Sequence, residues 1–275
     1  MTEQTSTAGF ADIDGARIYY EIAGDGHPLL LLHAGVADSR MWDDQWHPFA
    51  RRYRAIRYDL PGFGQSRLPD GPYAAHEEPA GLLRSLGVGQ AHVVGVSWGG
   101  RIALDFTLAH PEMVSALVLV CPSVSGQDPA EAVRRFGAEE EALLERGDLA
   151  AATELNVRMW VDGPRRTPDQ VEHSVRERVR EMQYHAFTVP MPEHVEAIEL
   201  EPPAIERLGE IRVPTLVVVG DHDIEEKLAM VDRLAAEIPG ARKVVFPGAA
   251  HMVTMEQPTD FNRTVLDFLV ERDRS

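Results

Sequence analysis

The sequence predicts an α/β fold: a mostly parallel, doubly wound sheet with an inserted helical lid domain. Three observations predict it. Short apolar runs recur along the chain, helical patterns lie between them, and one long stretch carries amphipathic helices with no strand-like run. The 275 residues suit one large α/β domain carrying an insertion.

The elements follow in order. Residues 10–24 alternate about Asp14-Gly15, the pairing a tight antiparallel hairpin prefers. Next come the runs 28–33, 53–59, 92–97, 116–121, 215–221 and 243–246, each rich in Val, Leu or Ile and too short for a helix. Fully buried parallel strands read this way. Helical patterns over 77–86, 98–109 and 228–238 alternate with them, which implies a parallel sheet covered on both faces.

From about 124 to 210 the alternation stops. Leu149, Ala152, Leu155 and Met159 fall on one helical face, as do Val171, Val175, Val179 and Met182. Thr167-Pro168-Asp169-Gln170 reads as a capping box with proline at the first helical position. The Pro-rich residues 189–203 read as the return linker. The expected division is a core of 1–123 and 211–275 with a helical cap, or lid, over 124–210. Long insertions in compact domains are usually functional, although a bundle that only adds stability has the same pattern.

Charge and cysteine content narrow the function classes. A formal net charge of −17 repels nucleic-acid phosphates and anionic lipid, so neither nucleic acid nor membrane is an expected partner; the partner expected from the candidate site residues is a small-molecule substrate. A homodimer stays open. Cys121 is the single cysteine, so no intrachain disulfide forms, which fits a reducing compartment. Residues 1–7 are polar and do not resemble a leader, and the apolar runs are far too short to span a bilayer, so the expected location is cytoplasmic.

Gly95-Val96-Ser97-Trp98-Gly99 matches G-x-S-x-G between an expected strand and an expected helix. A serine there sits on a sharp, strained turn, and glycines on either side let strand and helix approach closely. The helix N-terminus favours developing negative charge. The alternative is a serine that only caps the helix.

A serine hydroxyl needs a base at neutral pH. Of eleven histidines, His251 lies in the loop after the last expected strand, where carboxyl-end loops converge on one crevice. His33 also ends a strand and is expected to shape its loop. His92 and His110 are expected to be structural or solvated. His173, His185 and His194 fall in the insertion. The third member orients the imidazole. Asp221 and Asp223 both leave the correct sheet edge; Asp223 is better placed to reach His251, while Asp221 is expected to bond its own turn. The oxyanion donors are expected to be the N–H groups of Trp98 and Gly35, with Val36 as the runner-up. Trp98 and the lid helices are expected to supply an apolar pocket, with Val36 and Trp160 on its wall.

Residues 29–36, Asp59-Leu60-Pro61-Gly62-Phe63-Gly64-Gln65-Ser66, residues 95–100, 220–223 and 248–251, and Glu256-Gln257-Pro258 together resemble the α/β-hydrolase superfamily in its lidded, single-domain branch. The resemblance implies the α/β-hydrolase fold, a tight turn at 59–66 after the fourth strand, and ester-type hydrolysis. Gly62 and Gly64 do not read as a phosphate loop, since no lysine or G-x-G-x-x-G spacing follows. Relatives with dehalogenase or epoxide hydrolase activity carry an aspartate nucleophile, against which Ser97 argues. Carbon–carbon hydrolases often have tryptophan after the catalytic histidine, where Met252 stands; cofactor-free haloperoxidases usually have His-Gly-Trp where this chain has His33-Ala34-Gly35.

The main expectation is therefore a serine esterase or lactonase working through Ser97, His251 and Asp223, without metal or cofactor. No H-E-x-x-H or cysteine cluster appears. The same triad also suits carbon–carbon cleavage, or a lyase or cyclase acting on a polyketide-like compound. From a different class, a ligand-binding receptor with a vestigial site is the third reading.

Overall fold

The computed structural model describes residues 6–273; residues 1–5, where the absence of a leader was read, lie outside them. The chain opens on a hairpin of β1 (Thr7–Ile13) and β2 (Ala16–Ala23), closed by Asp14 at φ 47° and Gly15 at φ 83°. Two positive φ values in a two-residue turn match the twist of the paired strands. There follow β3 (His27–Leu32), α1 (Asp43–Ala50), β4 (Tyr53–Tyr58), β5 (Gly71–Tyr73), α2 (Glu78–Ser85), β6 (Ala91–Val96), α3 (Trp98–Ala109) and β7 (Val114–Val120). An insertion then holds α4 (Glu131–Glu145), α5 (Leu149–Asn156), a π-helical turn (Val157–Asp162), α6 (His173–Ala186) and β8 (Val195–Ala197). The core resumes with β9 (Thr215–Gly220), α7 (Glu225–Glu237), β10 (Arg242–Phe246), α8 (Val253–Glu256) and α9 (Pro258–Asp273).

Eight strands form one sheet in the order β1-β2-β4-β3-β6-β7-β9-β10. The pairings β1–β2 and β2–β4 are antiparallel and the others parallel. Every residue of β6 and of β9 is buried, which explains their unbroken apolar sequences. From β3 the chain first winds outward to β4, then returns to lay β6 on the other side of β3. Strand order reverses between β3 and β6, so the loops leaving these two strands diverge and open a crevice at the carboxyl edge. Those loops carry Gly35 and Ser97.

The insertion differs from its sequence reading in four details. A strand does occur there: β8 pairs in parallel with β5, outside the main sheet. The apolar face of Leu149, Ala152 and Leu155 does not reach Met159 in α-helical register, because α5 ends at Asn156 and the chain widens into the π turn. The capping box forms, with the Thr167 N–H donating to Gln170 Oε1 at 2.9 Å, yet it opens only a single 3₁₀ turn, Pro168–Gln170. Helix α4, unread in the sequence, buries no residue of its own. By contrast α6 presents Val175, Val179 and Met182 inward as read. Arg176 staples it to the π turn, donating from Nε to Asp162 Oδ1 at 2.7 Å. Among the described residues, no helix is long and apolar enough to cross a membrane.

Candidate active site

Ser97 ends β6 and starts α3 with φ 54° and ψ −111°. A side chain rarely tolerates a positive φ, and the turn holds only because its surroundings over-determine it. The Ser97 N–H donates to Val120 O at 2.9 Å, and its carbonyl accepts from Arg101 N and Ser123 N, each at 3.0 Å. The flanking glycines are sterically required. A Cβ on Gly95 would stand 2.4 Å from Gly99 O, and one on Gly99 would stand 2.4 Å from His33 O. The motif therefore records how closely α3 crosses β6 and β3.

His251 follows β10 and Asp223 follows β9, two strands that pair directly. The His251 Nδ1 donates to Asp223 Oδ2 at 2.7 Å, and both side chains are 1% exposed. A carboxylate only accepts, so Nδ1 carries the proton of this bond and Nε2 is the ring nitrogen turned elsewhere. Nε2 has no hydrogen-bond partner among the described residues. Burial alone would raise the Asp223 carboxyl; the charge and hydrogen bond of His251, the Ile224 N–H and the Cys121 thiol together hold it below the usual carboxylate range. Asp221 does not serve its own turn, as the sequence suggested: its Oδ1 accepts the Gly248 N–H at 2.7 Å, bracing the loop that carries His251.

The loop after β3 is shaped by His33, which is wholly buried. Its Nε2 accepts the Leu60 N–H at 2.9 Å and its Nδ1 donates to Ala34 O at 2.8 Å. Asp59 completes the support, accepting from Ser39 N at 2.9 Å and Gln65 N at 2.7 Å. The expected tight turn at 59–66 is thus tied to the Gly35 loop. Gly35 faces the start of α3: a Cβ there would lie 3.4 Å from Trp98 Cβ. Gly35 thus stands against the residue that follows Ser97.

Ser97, His251, Gly35, Val36 and Trp160 line one cavity of about 610 Å³ between the sheet edge and the insertion. The Trp160 ring lies 4.7 Å from the His251 ring, tilted by 43°. Pro61, Phe63, Leu144, Phe187 and Met191 make most of the remaining wall apolar. Trp98 is a correction: its indole does not join this cavity but points to the far side of α3, where the Arg101 guanidinium lies 4.9 Å above it. None of His173, His185 and His194 lines the cavity; His185 instead meets Gly64 O at 3.2 Å. His92 bridges Ser115 Oγ at 2.8 Å and Asp273 at 3.0 Å, a structural role.

Sequence reasoning missed Arg166, Glu140 and Gln183. Arg166 donates to Gly248 O at 3.0 Å, to Val161 O at 2.6 Å and to Glu256, joining the π turn to the His251 loop. Glu256 also accepts the Ala250 N–H at 2.9 Å. Glu256 stands in Glu256-Gln257-Pro258, already part of the resemblance, but nothing in that motif points to Arg166. Glu140 and Gln183 line the cavity from α4 and α6, and nothing in sequence pattern marks them.

Ligand atoms of Cys121, Asp223 and His251 lie within 4.8 Å of one another. They suit a metal poorly. Burial pushes the Cys121 thiol well up, so it donates to Asp223 instead of offering a thiolate, and the Nδ1–carboxylate bond occupies the other two groups.

The sequence model described as alpha/beta hydrolase fold matches residues 27–258. The chain is 31% identical to a protein of Azorhizobium caulinodans named for carbamate hydrolysis, covering 94% of this chain and 97% of that one. It is also 31% identical to a 2-hydroxy-6-oxo-6-phenylhexa-2,4-dienoate hydrolase of Burkholderia cepacia, covering 98% of this chain and 99% of that one. Among solved structures, Est816, described as an N-acyl homoserine lactone degrading enzyme, superposes with a TM-score of 0.73 at 26% identity, covering 94% of this chain and 100% of that one.

Proposed function

The chain belongs to the alpha/beta hydrolase fold family, and from that premise we propose that it is a serine hydrolase cleaving a small carboxylic ester or lactone through an acyl-enzyme. One observation carries the reading. A serine at a strained strand–helix turn shares a cavity with a histidine whose Nδ1 is held by a buried carboxylate and whose Nε2 is free.

The steps follow from that arrangement. His251 Nε2 takes the Ser97 proton as the hydroxyl oxygen attacks the carbonyl carbon. Asp223 stabilises the imidazolium through Nδ1. The N–H groups of Trp98 and Gly35 receive the oxyanion, where preorganised donors gain strength from exclusion of water. His251 then protonates the departing alkoxide. Water, deprotonated by the same nitrogen, attacks the acyl carbon and frees the acid. Residues 124–210 act as the lid, with Trp160 and Val36 against the substrate. A cytoplasmic setting fits the single cysteine, which is buried.

A second reading, carbon–carbon hydrolysis by the same triad, is supported by the Burkholderia cepacia relative. Its dienoate is an anion, whereas no lysine or arginine is among the described residues lining this cavity. That difference favours the ester or lactone. The test is turnover of 4-nitrophenyl esters together with labelling by a serine-directed phosphonate. Ester turnover that Ser97→Ala lowers by about 10⁴-fold or more, with the phosphonate on Ser97, is the expected result. Labelling without ester turnover, joined to cleavage of a 2-hydroxy-6-oxo-dienoate, would transfer the assignment to carbon–carbon hydrolysis.

A further inference from the structure

The insertion contributes polar side chains to the cavity wall that the hydrolytic steps do not use. Gln183 on α6 is 4% exposed and lines the cavity, yet its Oε1 has no hydrogen-bond partner among the described residues. A buried amide with an unspent acceptor is costly unless a ligand or water meets it. Glu140 on α4 lines the same cavity. Asn156 Nδ2 donates to Glu140 Oε1 and, at 3.0 Å, to Ala152 O. Both of its amide hydrogens are thereby committed, and one of them holds Glu140 by a single oxygen. Asn156 is itself buried and also lines the cavity.

These groups leave a consistent demand. A carboxylate accepts only, and the unspent atom of Gln183 is an acceptor too. With no lysine or arginine among the described residues of the wall, a negatively charged group beside Glu140 would meet it without compensation. Most of the remaining wall is apolar, so a neutral chain can fill the rest of the space.

We infer that Glu140 and Gln183 form a specificity subsite for the distal end of an ester or lactone bearing a hydrogen-bond donor, a hydroxyl or an ammonium, and that the subsite rejects carboxylates. This rests on the serine-hydrolase reading and names the substrate class within it. Asn156 is a positioning residue that orients Glu140.

The experiment compares kcat/KM across two matched series. One is 4-nitrophenyl esters of a straight-chain acid carrying a terminal methyl, hydroxyl, ammonium or carboxylate. The other places the same termini on the alcohol side of acetate esters. In one of the two series, the hydroxyl and ammonium esters are expected to exceed the methyl ester about ten-fold, and the carboxylate to fall about ten-fold below it. Gln183→Leu keeps the side chain's volume and is expected to bring the hydroxyl-to-methyl ratio close to one. Glu140→Gln is expected to raise the carboxylate ester relative to the methyl ester. Turnover of the methyl esters with no preference in either series, or a preference that survives both substitutions, overturns the inference while leaving the hydrolase standing. No turnover of any ester, with no phosphonate on Ser97, removes the hydrolase reading and this inference with it.

Discussion

Arg166 and Glu256 form an ion pair in which the side chains are only 7% and 8% exposed, linking the insertion to the loop that carries His251. Arg166 also donates through Nε to Asp162 O at 2.9 Å, beside the turn that holds Trp160 over the imidazole. Removing one partner of a buried pair leaves an uncompensated charge. Arg166→Ala is expected to destabilise the fold by about 3–5 kcal/mol. Chemical denaturation measures this, and kcat/KM is expected to fall beyond what lost folded protein explains. Arg166→Lys should rescue little, because a point charge cannot span several acceptors.

Asp223 and Asp221 separate cleanly by what their oxygens do. Asp223→Asn presents an amide where the imidazole needs an acceptor, and kcat should fall by about 10⁴-fold. Asp221→Asn keeps a carbonyl oxygen for the Gly248 N–H and should cost little. Steady-state kinetics on the two variants decide; an equal or larger loss from Asp221→Asn would reverse the assignment of the acid.

Burial lowers the pKa of His33 from 6.5, and both ring nitrogens are bonded in the neutral form. In the unfolded chain the ring protonates near the ordinary value. Its contribution to stability is therefore complete above about pH 6.5 and is lost as pH falls below that value. Thermal melts across pH 5–8 should show the midpoint dropping on the acid side. His92, lowered by the same cause, adds to the drop, so His33→Gln should weaken the dependence without abolishing it.

Glu78 gives the opposite sign. It is 3% exposed, neither of its oxygens has a partner among the described residues, and burial raises its pKa well above 4.5. Folding keeps the carboxyl neutral, so its cost grows as pH rises past the unfolded value near 4.5. Glu78→Gln should raise the melting midpoint more at pH 8 than at pH 5. An equal gain at both would show that charge is not the cause.

Legibility followed burial and locality. β6 and β9 could be read because both faces of each strand are covered, which leaves an unbroken apolar signature. Ser97 could be read because its motif spells out a local steric need, the crossing of α3 over two strands. α4 is harder to read, since it buries no residue fully and its half-buried stripe of Val133, Phe136, Leu143 and Leu144 is interrupted by Gly137 and Glu140. β5 and β8 are three residues each and satisfy only one another, too little for an alternation to register. Arg166, Glu140 and Gln183 take their meaning from partners far along the chain or from a cavity wall. No local pattern encodes either.

The left-handed backbone at Ser97 sets chemistry against endurance. Glycine adopts that conformation without steric cost, so Ser97→Gly should survive heating better than the parent, by about 1–3 kcal/mol in unfolding free energy, while losing its nucleophile. Selection for robustness alone would erase the hydroxyl. A lineage that keeps serine at this position is one in which catalysis has outweighed thermal hardiness.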